Sequence, residues 1–543
     1  MRILVIGAVA AGTSAAAKAR RNDDNAEIVI YEKDLDISYS GCGLPYYIGG
    51  EIDNIDELTP RDPAFFKKKY NINIFTGFEV VRIDSKAKEL TVKNLATNEV
   101  LHDKYDKLVI ATGASPFVPN IMGVHNDNVF FLRNVQSARN IKSFIDKRKP
   151  QRAVIAGTGF IGFEMLENLM ADGINVTIVE KQSKITPNLD EDMAAYLESE
   201  LIKKNIVIMK NTSITEIYDN RVILEDGKEI ASDMVIMATG VKPNITLAKE
   251  AGVEIGITDA IKVNNKMQTN INNIYACGDC IETFSVITGK PVYRPLGSTA
   301  NKTGRIAGDV LSGGALEYKG NLSTGIFKLF DMTIATTGLS EKEAIAEGYD
   351  IVICHNIKPD KPDYFHGKEM VIKAIADKKT QKILGVQIVG YEGVDKRIDV
   401  FVTLITYGAK VDELFHLDLA YAPPFSTTKD PVHYTGMILD NALNRDRPVI
   451  TAKDVRELAD SKVQVIDARV SKQYNEAHMD NALNIPHDVI RNELENLDKD
   501  ALTITYCNKG VTGNAVQNIL LNHGYKKVYN LSGGHKFYKA TKR

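Results

Sequence analysis

A short apolar strand, a glycine-bearing turn, a helix and a second strand ending on an acid occur twice in this sequence. No other feature restricts the fold as much. In the first copy Ile3–Ile6 is the strand and Gly7, Ala8, Val9, Ala10, Ala11 and Gly12 form the turn. An alanine-rich helix then runs to about Arg21, and Ile28–Glu32 closes the unit. In the second copy Ala153–Ala156 leads into Gly157, Thr158, Gly159, Phe160, Ile161 and Gly162. A helix continues through Met170, and Val176–Glu180 again ends on an acid. Strands joined by a helix pair in parallel, because a tight hairpin cannot return the chain in the same direction. The glycines let the backbone close on a pyrophosphate at the helix N-terminus, and the acid is placed to accept a ribose hydroxyl. Val9 stands where the pattern usually has its middle glycine, whereas the second copy is complete and in the required order. Glu180 repels a 2′-phosphate and so favours NADH over NADPH, a preference that the neighbouring Lys181 softens.

Each copy also has a matching exit. Leu108–Gly113 and Met234–Gly240 are apolar strands that both end in Ala-Thr-Gly, at Ala111, Thr112 and Gly113 and at Ala238, Thr239 and Gly240. A later segment from Thr269 ends on Gly278 and Asp279, where a carboxylate can reach a ribityl or ribose hydroxyl. Together these features resemble the flavoprotein disulfide reductases that have two dinucleotide-binding domains. The resemblance implies FAD in the first fold, held by Gly7, Ala8, Ala10, Gly12, Glu32, Lys33, Ala111, Thr112, Gly113, Gly278, Asp279 and Ala300, with Tyr421 nearby. It implies NADH, or NADPH, in the second, held by Gly157, Gly159, Phe160, Ile161, Gly162, Glu180 and Gly240.

The remaining chain divides in the same way. Ile326–Phe330, Thr333–Gly338, Ile351–His355, Glu369–Ile375 and Ile383–Val389 read as strands, and Val400–Tyr407 as an apolar helix. In the resembled family this region makes a homodimer and sends its C-terminal end into the partner's active site. A polar, proline-bearing stretch at Arg445–Pro448 reads as a linker. After it, Val463–Arg469, Ala482–Pro486, Leu502–Cys507 and Val528–Gly534 read as strands and turns of a compact unit resembling a single rhodanese domain. The expected fold class is α/β: two dinucleotide-binding, Rossmann-like domains, an α/β dimerisation domain and a C-terminal α/β rhodanese domain. The expected boundaries are 1–150 and 249–324 for FAD, 151–248 for NAD(P)H, 325–440 for dimerisation, 441–450 for the linker and 451–543 for the rhodanese.

Cys42 is the first candidate for chemistry. It sits among Ser38, Ser40, Gly41 and Gly43, which are not core residues, just past the first nucleotide unit. Leu44–Tyr47 reads as a helix start, whose amides stabilise a thiolate. The resembled family usually pairs two cysteines four residues apart, and here there is one. A lone thiol stores oxidation as a mixed disulfide, a persulfide or a sulfenic acid. That narrows the resemblance to single-cysteine members, and the stretches Gly7–Gly12, Leu44–Tyr47, Glu392–Val400 and Tyr421–Ser426 are most similar to coenzyme A disulfide reductases. Carried over, the resemblance makes Tyr364 and Tyr421 active-site tyrosines. It places coenzyme A contacts on Ser14, Lys18, Arg21, Ser38, Gly41, Asn301, Tyr364 and Lys429. Lys18 and Arg21 lie three apart on one helical face, and with Lys67, Lys68 and Lys69 they form a candidate clamp for adenosine phosphates.

Cys507 is the second candidate, on a loop from Asn508 to Asn514 that leads into a helix. Backbone amides there stabilise a thiolate or persulfide without a metal. Many rhodanese loops carry arginine where this chain has Thr512, and Lys509 is the loop's only charge, so thiosulfate is expected to be a poor donor. Asp467 and Arg469 read as a structural pair. Cys277 and Cys280 form one C-x-x-C spacing without a second pair, a poor zinc site, and Cys354 reads as core. No metal site is expected.

The length of 543 residues exceeds what one core supports. A net charge of −3 gives no sign of nucleic-acid binding, and no apolar run reaches membrane-spanning length. The chain opens directly into a strand and has five cysteines, which together suggest a cytoplasmic protein. The expected function is FAD- and NAD(P)H-dependent reduction of coenzyme A disulfides, persulfides or polysulfides. Two readings stand beside it: an NADH oxidase or peroxidase cycling Cys42 through a sulfenic acid, and a non-catalytic sulfur carrier or redox sensor.

Overall fold

The computed structural model describes residues 1–458 and 463–542; positions 459–462 and 543 of the expected rhodanese domain lie outside the described residues. Two compact units form, one from Met1–Gln182 with Val207–Asn321, the other from Ser183–Ile206 with the chain from Leu322 onward.

The first unit holds two five-stranded parallel sheets built to one plan. One runs in the spatial order Ile274–Ala276, Lys107–Ile110, Arg2–Ile6, Glu27–Glu32, Asn73–Thr76. The other runs Val207–Lys210, Asn175–Glu180, Arg152–Ala156, Met234–Met237, Val129–Phe130. In both, the first strand is central, the strand ending on an acid lies on one side and the Ala-Thr-Gly strand on the other. The outermost strand beside Ala-Thr-Gly differs. In the first sheet it is the segment that leads to Gly278 and Asp279; in the second it comes from residues 129–130, which precede the rest of that sheet.

Alanine-rich sequence forms the helix Ala10–Asn22 because there is room for nothing larger. A β-carbon on Gly12 would lie 1.9 Å from the Gly7 carbonyl oxygen. On the helix's other side, β-carbons on Gly304 and Gly308 of the helix Gly297–Leu311 would each lie 2.2 Å from a carbonyl oxygen, of Ala11 and of Ala15. The first Ala-Thr-Gly strand, Lys107–Ile110, ends in the small-residue turn that the sequence indicates, with Gly113 at φ +68°. Beyond it Ala114–Pro116 pairs antiparallel with Val241–Pro243, so the two Ala-Thr-Gly exits meet in one ribbon.

The second unit contains a five-stranded antiparallel sheet in the order Gly325–Leu329, Met332–Gly338, Ile383–Gly390, Glu369–Asp377, Ile351–Pro359. The helix Val394–Thr406 packs on it and starts earlier than its apolar run suggests. The reason is Arg397, which is 1% exposed on the helix's buried face. Its guanidinium reaches the Asp430 carboxylate at 2.8 Å and Ser426 Oγ at 3.2 Å. A charge on the core side hides a helix from its hydrophobic pattern. The helix Pro431–Asn444 then ends four residues before the strand Val449–Ile450, which already belongs to the last sheet. That sheet is all parallel, in the order Val449–Ile450, Val528–Leu531, Leu502–Tyr506, Val463–Asp467, Ala482–Asn484.

A buried charge knot lies inside this unit. Lys373 is fully buried, with Nζ 3.1 Å from Asp190, 2.9 Å from Asp192 and 2.7 Å from Glu341. His355, its cross-strand partner, sends Nε2 to Asp192 at 2.7 Å and its backbone N–H to Ser532 Oγ at 2.6 Å. Burial opposes charge on both Lys373 and Asp192, but their mutual attraction and the further partners outweigh it. Lys373 is held above its usual value and Asp192 below. Replacing Lys373 with Met leaves three carboxylates facing one another. It should cost about 3–5 kcal/mol at neutral pH in a denaturant titration. The deficit should narrow on mild acidification, as the stranded carboxylates protonate.

Candidate functional site

The two glycine turns fit the phosphates of a dinucleotide. Gly7 and Gly157 have φ +102° and +105°, and a β-carbon on either would strike a carbonyl oxygen at 2.3 or 2.4 Å. Gly159 has nothing within 4 Å of where its β-carbon would be, which leaves its backbone open to close approach. The terminal acids are set alike. Glu32 accepts the Ala8 N–H at 2.7 Å and the Asp34 N–H at 2.9 Å; Glu180 accepts the Thr158 N–H at 3.0 Å and the Gln182 N–H at 2.8 Å. Both are buried. Each carboxylate is thus fixed against its own turn, with lone pairs left for a ribose hydroxyl.

From Glu32 to Cys42 the chain is pinned at successive points. Asp34 accepts from Asn134 Nδ2 at 2.9 Å, and Asp36 takes Arg139 at 2.8 and 3.2 Å. Ser38, in the left-handed region at φ +48°, donates its N–H to Ala8 O at 2.9 Å. Ser40 donates to Leu58 O at 2.9 Å, and a side chain on Gly43 would collide with Leu58. The short helical turn Gly41–Gly43 then passes into the helix Leu44–Ile48. That helix packs on Val135–Arg148 and on the second glycine-turn helix, Phe160–Ala171, where Gly49 has no space for a β-carbon against Asn168. The cysteine turn of the first dinucleotide fold is therefore docked on the helix of the second.

Cys42 is exposed as a residue, yet its surroundings push the thiol up rather than down. Burial of the sulfur is the largest cause, then the charges of Glu164 and Asp279, with Arg133 opposing. Arg133 pairs with Asp279 at 3.0 Å. Glu164, half-buried on Phe160–Ala171, is itself pushed up to about 7 by burial and by Glu167. Tyr46, on the helix that follows the cysteine turn, is pushed up to about 12 by burial, Glu164 and Glu167. Sequence reasoning missed Arg133, Glu164 and Tyr46. The available signal was Glu164 and Glu167, three apart on an otherwise apolar helix.

Several other candidate residues come together in this unit. Ser14 Oγ bonds Asn301 Oδ1 at 2.8 Å. Arg21 lies over the Tyr70 ring at 5.4 Å and Lys69 over the same ring at 5.5 Å. Lys18 is engaged instead by Asp309 at 2.9 Å and Asn22 at 2.8 Å, so its charge is largely neutralised. Gly278, at φ +83°, abuts Ala11, and Ala300 is buried on the helix Gly297–Leu311. Cys277 and Cys280 are fully buried in the same core. Tyr364, Tyr421 and Lys429 belong to the second unit and are exposed there.

Cys507 follows the strand Leu502–Tyr506 and precedes the helix Val511–Asn522. Its Sγ accepts the Gly510 N–H at 3.2 Å, and its carbonyl accepts the His535 N–H at 2.8 Å. Asp467 and Arg469 form a buried pair at 2.6 Å, and Arg469 also reaches Asn508 Oδ1 at 3.2 Å. The pair thus braces the cysteine turn. Cys354 is fully buried. Among the described residues no helix is long and apolar enough to cross a membrane.

Comparison with known proteins matches these parts to three family models. Residues 1–300 match the pyridine nucleotide-disulphide oxidoreductases, 325–431 the dimerisation domain of that family, and 451–541 a rhodanese-like domain. The crystal structure of reduced Bacillus anthracis CoADR-RHD has 37% sequence identity to this chain and a TM-score of 0.97, covering 99% of this chain and 98% of that one. The NADH oxidase of Methanocaldococcus jannaschii is 38% identical, over 80% of this chain and 97% of its own length. The NAD(P)H coenzyme A polysulfide/persulfide reductase of Pyrococcus horikoshii is 36% identical, over 81% of this chain and 98% of its own.

The surroundings of Cys42 lead to a direct test. Glu164→Gln removes a charge that opposes the thiolate, so the pH profile of Cys42 alkylation should move to lower pH. Arg133→Met should move it to higher pH.

Proposed function

The chain belongs to the pyridine nucleotide-disulphide oxidoreductases, and from that premise we propose that it reduces coenzyme A disulfides, coenzyme A persulfides or polysulfides. The observation that carries this reading is a single exposed thiol, Cys42, on a turn clamped between two dinucleotide folds, with no second cysteine on that turn. Bound FAD and a nicotinamide cofactor supply the two electrons. The first glycine turn, Gly7–Gly12, with Glu32 and Asp279 would hold the first, and Gly157–Gly162 with Glu180 the second. The buried carboxylate of Glu180 favours NADH.

The Cys42 thiolate attacks one sulfur of a coenzyme A disulfide and forms a mixed disulfide as coenzyme A thiolate leaves. Overall, the disulfide plus NADH and a proton gives two coenzyme A thiols and NAD⁺. A coenzyme A persulfide gives one thiol and hydrogen sulfide. Glu164, pushed up to about 7 by burial and Glu167 and acting on the Cys42 thiol, holds or releases the proton that accompanies each change of charge on sulfur. Arg21 and Lys69, gathered on Tyr70, suit the adenosine phosphates of coenzyme A; Ser14, Ser38, Gly41 and Asn301 line its path. The enzyme works as a homodimer, in which Tyr364, Tyr421 and Lys429 from a second copy complete the site. The dimerisation-domain match supports this. Five free cysteines suit the reducing cytoplasm. Cys507 carries sulfane sulfur as a persulfide, and its tethering raises its effective concentration near the reductase.

The NADH oxidase name of one relative keeps a second reading in view, in which Cys42 cycles through a sulfenic acid. Steady-state turnover separates the two. NADH oxidation driven by coenzyme A persulfide should exceed that driven by oxygen or peroxide, and the reverse order would favour the oxidase. Cys42→Ser should lower persulfide-driven NADH oxidation by on the order of 10³-fold. Cys507→Ser should leave coenzyme A disulfide reduction intact and slow only the use of other sulfur donors.

A further inference from the structure

Asn530 is a buried side-chain amide with only one of its two ends engaged. It lies on the strand Val528–Leu531 and is 7% exposed. Among the described residues its Oδ1 has no hydrogen-bond partner. Its Nδ2 donates to the Gly510 carbonyl at 3.1 Å. A buried acceptor left unpaired lowers stability, so an apolar side chain of similar size would suit this core as well or better. The reason for an amide here lies in what its nitrogen holds.

It holds the turn around Cys507. Gly510 stands in the left-handed region at φ +96°, where the chain leaves the cysteine and enters the helix Val511–Asn522. Its N–H donates to Cys507 Sγ at 3.2 Å. Its carbonyl accepts Asn530 Nδ2 and also the Asn514 N–H, the latter at 2.9 Å. One glycine thus joins the amide aimed at sulfur to the carbonyl tied to Asn530.

Register sets this up. Thr505 and Asn530 are direct partners on parallel strands, so their side chains leave the same face of the sheet. Thr505 Oγ1 donates to the Gly513 carbonyl at 2.9 Å, and a β-carbon on Gly513 would lie 2.5 Å from Asn530 Oδ1. The turn therefore rests directly on these two side chains. Asn530 is itself fixed, with Thr505 on one side and Val449 on the other, and its N–H on Pro448 O at 3.1 Å. Arg469 braces the turn at Asn508, before Gly510; Asn530 braces it at the residue whose amide meets the sulfur.

We propose that Asn530 is a positioning residue for Cys507, holding the Gly510 N–H on Sγ so that the sulfur can carry negative charge. This rests on reading Cys507 as a sulfur-transfer cysteine and adds the group that tunes it. Charge on Sγ matters twice. With a coenzyme A persulfide, the Cys507 thiolate attacks the outer sulfur, and a new sulfur–sulfur bond forms as the bond to the coenzyme A sulfur breaks. Coenzyme A thiolate leaves with the electron pair, and the proton on the outer sulfur stays there, so Cys507 becomes a persulfide. When that sulfur passes to an acceptor thiolate, the bonds change in reverse and the Cys507 thiolate is the leaving group. In both directions the Gly510 N–H meets Sγ when its charge is greatest. Neither step needs an oxidant.

The test uses the full-length holoenzyme carrying Cys42→Ser, with alkylation of Cys507 by iodoacetamide followed by peptide mass across pH. Asn530→Leu removes the donor and leaves the Gly510 carbonyl its helix partner. It should move the alkylation profile up by about one pH unit, the effect of one hydrogen bond. Asn530→Ala, which removes the donor without adding bulk, should give the same shift. Gly510→Ala strains the left-handed turn and should raise the profile by itself. Adding Asn530→Leu to it should raise the profile no further, because both act through one amide. An unchanged profile in Asn530→Leu, a shift in that variant without one in Asn530→Ala, or full additivity with Gly510→Ala overturns the proposal. Below the wild-type midpoint, loading of Cys507 by coenzyme A persulfide should slow about threefold in Asn530→Leu, the lost thiolate being partly offset by its greater nucleophilicity. Absence of any loading in the wild type overturns the sulfur-transfer reading itself, whereas the alkylation profiles judge Asn530 independently. In the chain with Cys42 intact, Asn530→Leu should leave coenzyme A disulfide reduction unchanged, and a loss there would assign the residue to the fold and overturn its positioning role.

Discussion

Two glycine-to-carbonyl contacts set the geometry on which the first unit depends. The helix after each glycine turn lies so near its strand that a β-carbon on Gly12 or Gly162 would sit only 1.9 and 2.2 Å from a carbonyl oxygen, well inside van der Waals contact. That closeness brings the helix N-terminus over the strand end, where free amides and the helix dipole favour phosphate. It also sets the height at which Glu32 and Glu180 can reach back to Ala8 and Thr158. The path to Cys42 begins at Glu32, so the reactive turn inherits its position from the same contact.

What the sequence made legible is what repeats locally. The glycines, the acids and the two Ala-Thr-Gly exits follow fixed offsets, and the observed sheets use them as the offsets require. Charges that act across the fold were not legible. Arg397 hides the start of its helix because its partner, Asp430, lies beyond the next turn of chain. Lys18 reads as a free phosphate ligand until Asp309, nearly three hundred residues on, takes it. Arg133, Glu164 and Tyr46 join Cys42 from separate elements, and no spacing rule connects them. The expectation that a helix start would favour the Cys42 thiolate misjudged the balance. A five-residue helix contributes little against burial and two nearby carboxylates.

Cys42 and Cys507 sit in different surroundings. Cys42 has Glu164 and Asp279 for neighbours, with one arginine already paired. A thiol in that setting stays protonated until a substrate or cofactor changes the local charge, which restrains idle oxidation. Cys507 lies on a turn whose Lys509 is clasped, together with Lys536, by Glu369.

The charge knot around Lys373 bears on how the chain comes to be folded at all. Its members come from positions 190, 192, 341, 355 and 373, and position 532 closes over His355. The helix Glu191–Lys203 belongs to this unit although the strands on either side of it in sequence belong to the other. During synthesis that helix leaves the ribosome long before its counter-charges exist. Its acids must wait, hydrated and unpaired, until the antiparallel sheet that carries His355 and Lys373 is made. Closing so long a loop is slow, and the intermediate exposes apolar surface meanwhile. The first unit meets the same discontinuity, since the segment ending in Asp279 completes a sheet begun at residue 2. Assembly of this protein is therefore late and concerted, and the order of its domains along the chain is not the order in which they can mature.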